Sequence, residues 1–133
     1  MRIQLEAYGR TAEVETLGGE LVSCRDGVGV EYLWQGDPAY WSGRNPLLFP
    51  IVGALKDGRI AVNGKEYEMP QHGFARRQEF TELDHGDGWA ELELRENGAT
   101  LAQYPFPFRL KVRQELTAEG FASTFTVENT GTD

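Results

Sequence analysis

Two stretches of the chain concentrate groups that could do chemistry. One is Tyr40-Trp41-Ser42-Gly43-Arg44-Asn45-Pro46-Leu47-Leu48-Phe49-Pro50, the other Met69-Pro70-Gln71-His72-Gly73-Phe74-Ala75-Arg76-Arg77. Arg44, Gln71, His72 and Arg76 are planar groups, most of them carrying several hydrogen-bond donors, and Trp41, Phe49 and Phe74 stand beside them. Planar donors fix hydroxyls and aromatic faces cover C–H patches, so this combination suits the ring of a sugar. A plainer reading uses the same residues: Arg44 and Arg76 pair with surface carboxylates, and His72 is a satisfied turn histidine.

Other reactive side chains offer less. His85 lies in His-Gly-Asp-Gly between two strand patterns and reads as a solvated turn residue. Two histidines 13 residues apart, with no matching carboxylate cluster, do not make a metal-ligand set. The single Cys24 can form no internal disulfide and reads as a small buried apolar residue in a reducing compartment. Glu91 and Glu93 share a strand face and are expected to be solvated. Trp34, in an otherwise apolar run, is expected in the core.

The elements that position these residues read as strands. Phe108, Leu110, Val112 and Leu116 fall on one face, with Arg109, Lys111, Arg113 and Glu115 on the other. After the turn Thr117-Ala118-Glu119-Gly120, Phe121, Phe125 and Val127 resume an apolar face, which predicts a long hairpin. Leu92 and Leu94 alternate with Glu91, Glu93 and Arg95, and Glu79 to Leu83 is their expected partner across His85–Gly88. Arg59 to Glu68 predicts a hairpin turning at Asn63-Gly64, a pair that tolerates the positive φ of a type I′ turn. Ala12–Glu15 and Leu21–Cys24 flank Gly18-Gly19 as another, and Val28 to Trp34 reads as the next strand. Helix evidence is confined to Ala99–Gln103, stopped by Pro105 and Pro107.

Composition agrees with many short strands. The 133 residues suit one domain, 1–133, able to bury roughly two-thirds of its unfolded surface. Gly contributes 16 of the 133, about 12% against a usual share of roughly 7%, as tight turns require. A net charge of −8 argues against a nucleic-acid partner. The longest apolar run, Pro46 to Val52, is far short of the ~20 residues that cross a bilayer, and the amino terminus lacks a secretory apolar block. A cytoplasmic protein with no membrane partner is expected, and the strand pattern predicts an all-β, antiparallel β-sandwich.

Several of these segments together resemble a known family. Glu31-Tyr32-Leu33-Trp34-Gln35-Gly36-Asp37, Tyr40-Trp41 and Arg44-Asn45-Pro46-Leu47-Leu48-Phe49-Pro50-Ile51-Val52-Gly53 look like the galactose mutarotase-like aldose 1-epimerases, in their LacX-like subgroup. Asn63 to Arg76, with its Gln-His-Gly-Phe-Ala-Arg, strengthens the likeness, and Leu101 to Phe108 and Phe125 to Thr130 follow in order. The Gln-His-Gly-Phe-Ala-Arg stretch is shared with hexose-6-phosphate epimerases, so a monosaccharide and a sugar phosphate both stay open.

The resemblance implies a large antiparallel β-sandwich of which this is the amino-terminal half, no cofactor, and interconversion of the α and β anomers of a hexose or hexose phosphate. It implies that Arg44, Gln71, His72 and Arg76 contact sugar hydroxyls or a phosphate. Ala54 stands where relatives commonly carry an arginine. The family's catalytic His and Glu would lie beyond Asp133, so no catalytic residue is assigned within the chain. Three readings follow: an epimerase half inactive alone, a non-catalytic carbohydrate-binding sandwich, or one half of a split enzyme. An uncovered sheet face would favour self-association or a complementary chain.

Overall fold

The structure is a computed structural model that describes all 133 residues. Nine strands form three antiparallel sheets: β1 (Arg2–Ala7), β2 (Arg10–Glu15) and β3 (Glu20–Arg25) in the order β1-β2-β3; β4 (Arg59–Val62) with β5 (Lys65–Glu68); and β6 (Thr81–His85), β7 (Trp89–Arg95), β8 (Phe108–Leu116) and β9 (Phe121–Asn129) in the order β6-β7-β8-β9. One short helix, α1 (Gly98–Leu101), is capped by Asn97 and Thr100 in a reciprocal pair of hydrogen bonds. No helix is long and apolar enough to cross a membrane.

Strand alternation builds the core. On β8 every second residue from Phe108 to Leu116 is buried. With Ala90, Leu92 and Leu94 of β7 they pack against Ile3 and Leu5 of β1, Ala12 and Val14 of β2, and Leu21 of β3. Two antiparallel sheets thus face each other across one apolar layer, the sandwich that the alternation predicts. Gln114 is the polar member of the buried β8 row; its amide donates to the Gly19 carbonyl at 3.0 Å, tying the two sheets together.

The hairpins lie where turn chemistry places them. Asn63 and Gly64 both have positive φ, 49° and 77°, as a type I′ turn demands. The β6–β7 hairpin is shifted: β6 starts at Thr81 and runs through His85, so the turn narrows to Gly86–Gly88. Strand β1, which the sequence reading did not assign, carries its signal in the alternation of Ile3 and Leu5, both buried.

The expected strand at Val28–Trp34 does not form. Two carboxylates take the amides that a ladder would need. Asp26 accepts the N–H groups of Val28 and Val30 at 3.0 Å each. Glu31 accepts those of Cys24 at 2.9 Å and Leu33 at 3.1 Å, together with the Ser23 hydroxyl and Arg25 Nε. Only an isolated bridge between Arg25 and Glu31 remains. Trp34 is accordingly outside the core, 43% exposed, with its Nε1–H donating to the Trp41 carbonyl at 2.8 Å.

Candidate functional site

The two loops singled out by residue type are stitched to each other. Phe49 and Gly73 form a parallel bridge, and the Phe49 carbonyl accepts the N–H groups of Phe74 at 2.9 Å and Ala75 at 3.2 Å. Gly73 has φ of 73°, and a Cβ there would lie 2.1 Å from the Phe49 oxygen, so only glycine permits this approach. Next to this bridge, His72 N–H donates to the Gly53 carbonyl at 2.8 Å while Gly53 N–H donates to His72 Nδ1 at 2.8 Å. An Nδ1 that accepts leaves the ring proton on Nε2 as an outward donor. His72 is therefore a turn residue, with φ of 64°, satisfied at one nitrogen.

Arg44 is held by the other side of its loop. Its Nη1 donates to the Val22 carbonyl at 3.2 Å and to Gln35 Oε1 at 3.1 Å, and Gln35 Nε2 donates to the same Val22 carbonyl at 2.9 Å. The Trp41 ring lies over Gly43, where a Cβ would meet it at 2.4 Å, and stays 52% exposed. Arg76 Nη2 donates to the Gln71 carbonyl at 3.0 Å, and its Nε is buried without a partner. The Arg76 carbonyl abuts Gly18, and Arg44 reaches Val22. Four residues separate those two points, at most about 13 Å in extended chain, so both loops flank the start of β3.

The arginines do not pair with carboxylates. The ion pairs made by lysine and arginine side chains belong to Arg2, Arg25, Arg59, Arg95, Arg109, Lys111 and Arg113. Arg10, Arg44, Lys56, Lys65, Arg76 and Arg77 make none, although the chain carries −8. Only one of the three aromatics is available: Phe74 is 2% exposed, and Phe49 packs on Phe74 and Phe108 with ring centroids 6.1 and 5.2 Å away. Both belong to the core, leaving Trp41 as a free face. Five surface clefts are lined by other residues; Gln71 is exposed, and Arg44, His72 and Arg76 are half-buried.

The remaining candidates are structural. His85 is largely exposed and its Nδ1 meets Glu82 Oε1. Glu91 and Glu93 share a face but are ion-paired: Glu91 with Lys111 at 2.9 Å, Glu93 with Arg95 at 2.9 Å and with Arg109. Burial pushes the Glu93 carboxyl up, and the bonds to Arg109 and Arg95 outweigh it, holding the group below the ordinary carboxylate range. Cys24 is half-buried against the core, and burial raises its thiol pKa. No three His, Cys, Asp or Glu side chains are grouped to hold a metal ion. Gln35 and Gly53, which orient Arg44 and His72, were not legible as partners, because each acts across a gap of 9 or 19 residues.

Known proteins match this arrangement along its full length. The family model for aldose 1-epimerase matches residues 1–133. The plasmid and chromosomal LacX proteins of Lactococcus lactis are 35% and 34% identical, the match covering 100% of this chain and 46% of each relative. A galactose mutarotase related enzyme from Lactobacillus acidophilus superposes with a TM-score of 0.95 at 32% identity, over 98% of this chain and 44% of its own. A galactose mutarotase-like protein from Lactobacillus casei gives 0.96 at 32% identity, over 100% and 46%. The chain spans slightly under half the length of these relatives.

Proposed function

The chain belongs to the aldose 1-epimerase family, and on that premise we propose that it supplies the sugar-holding part of an anomer-interconverting site. The observation that carries this reading is that Arg44 and Arg76, two of the arginines without carboxylate partners, stand on two loops bonded to each other in a strongly acidic chain. A guanidinium left unpaired keeps its donors for hydroxyls or a phosphate. Gln71 and His72 Nε2–H add neutral donors, and Trp41 offers a face to the C–H side of a pyranose. The substrate class is a hexose or hexose phosphate.

Anomer exchange needs a base that takes the proton of the anomeric hydroxyl and an acid that protonates the ring oxygen. The C1–O5 bond then breaks, the aldehyde turns about C1–C2, and the ring recloses on the other face. His72 is poorly suited to either role, since its Nδ1 is engaged by Gly53 and its Nε2 carries the proton. The other histidine, His85, lies at the end of β6 against Glu82. In this reading the chain binds and orients, and the proton-moving pair comes from polypeptide outside the matched half.

Isothermal titration with glucose, galactose and their 6-phosphates tests it. Saturable binding is expected, weakened about tenfold or more by Arg44→Ala or Arg76→Ala, as loss of a charge-assisted hydrogen bond implies. No heat even at millimolar sugar, or binding indifferent to both substitutions, rejects it.

A further inference from the structure

Gln35 closes a ring of hydrogen bonds around the Arg44 guanidinium. Arg44 Nη1 donates to Gln35 Oε1 at 3.1 Å and to the Val22 carbonyl at 3.2 Å. Gln35 Nε2 donates to that same carbonyl at 2.9 Å and to the Leu33 carbonyl at 3.3 Å. A guanidinium only donates and a carbonyl only accepts, so the amide has one orientation here, Oε1 towards Arg44 and Nε2 towards the backbone. Gly36, with φ of 73°, packs on the Arg44 stem: a Cβ there would lie 3.4 Å from its Cγ and Nε. The carboxylates on these segments are engaged elsewhere. Glu20 accepts the Asn45 N–H at 2.6 Å, Asp37 accepts that of Ala39 at 2.9 Å, and Glu31 accepts those of Cys24 and Leu33. In a chain with 21 acidic residues, the one side chain bonded to this guanidinium is uncharged.

A carboxylate in that place would hold Arg44 and cancel its charge. An amide holds it and cancels nothing. We propose that Gln35 is a positioning residue of the sugar site: it fixes Arg44 through Nη1 and leaves the guanidinium its full charge for the oxygens of a ligand, with most effect on an anionic one. Arg44 Nε and Nη2, which bond to nothing in the chain, are the donors this arrangement keeps for the ligand. The proposal deepens the sugar-holding reading and rests on it, and the role it gives Gln35 requires no contact between Gln35 and sugar.

The test is isothermal titration of the parent chain, Gln35→Glu and Gln35→Met with glucose and with glucose 6-phosphate. Gln35 is exposed, so neither substitution opens a cavity in the core. Both lose the bonds to Val22 and Leu33, and only Glu adds a charge. Gln35→Met should weaken binding about threefold or more, because Arg44 loses its side-chain partner. Gln35→Glu should bind glucose 6-phosphate about tenfold more weakly still, and glucose more weakly by a smaller factor. The gap between the two variants should narrow at high salt. A purely structural role for Gln35 would separate neither the variants nor the sugars. Gln35→Met binding as the parent does overturns the proposal, as do equal affinities of the two variants for every sugar that the parent binds. A parent chain that binds neither sugar removes the sugar-holding reading, and the proposal falls with it.

Discussion

Arg44 and His72 are each fixed by a partner that leaves a donor outward. For Arg44 the partners are the Val22 carbonyl and Gln35; for His72 the partner is the Gly53 amide. The His72 bond makes a prediction at this scale. Long-range ¹H–¹⁵N correlation at neutral pH should show an unprotonated Nδ1 and a proton on Nε2. A ring protonated on Nδ1 would remove the proposed donor and contradict the account. Residue types alone were enough to pick out the two loops. They could not show that Phe49 and Phe74 serve the core while Trp41 stays exposed, because burial depends on the sheet packed beneath. Nor could local spacing decide between paired and unpaired arginines, since the answer lies in carboxylates distant in sequence.

Among the elements, the hairpins β4–β5, β6–β7 and β8–β9 follow from alternation and turn residues, because in each of them the two paired strands are neighbours in sequence. The segment from Val28 to Trp34 alternates equally well and is not a strand. Asp26 and Glu31 decide it by capturing its amides, a competition between side chain and ladder that periodicity does not register. Glu31 therefore organises the loop leading to Gln35 and Trp41. Burial raises its carboxyl, and the bonds from Ser23, Cys24, Leu33 and Arg25 more than offset this, so its folded pKa lies below the ordinary value. A depressed carboxylate stabilises the fold above its unfolded pKa of about 4.3 and loses that contribution as the pH falls through the folded value. Urea unfolding of Glu31→Gln should show a loss of about 1–3 kcal/mol at pH 7. The gap to the parent chain should narrow as the pH falls from about 5 towards 3. A gap that stays constant with pH would show that the carboxylate is not the anchor.

At the scale of the whole molecule, the chain is one core between two sheets, with a face of β9 left bare and two bonded loops along the flank of β3. The sandwich was legible because half of it already brings both layers together. The bare face was legible only as the apolar run Phe121, Phe125, Val127, of which Phe125 and Val127 stay exposed. The most direct measurement is polarimetry of freshly dissolved α-glucose, α-galactose and glucose 6-phosphate with the chain alone, at protein concentrations that saturate any binding. The account predicts optical rotation relaxing at the buffer rate, even where titration registers bound sugar. Relaxation accelerated by the chain alone, and slowed again by His72→Ala, would place the proton-moving groups within these 133 residues and contradict it.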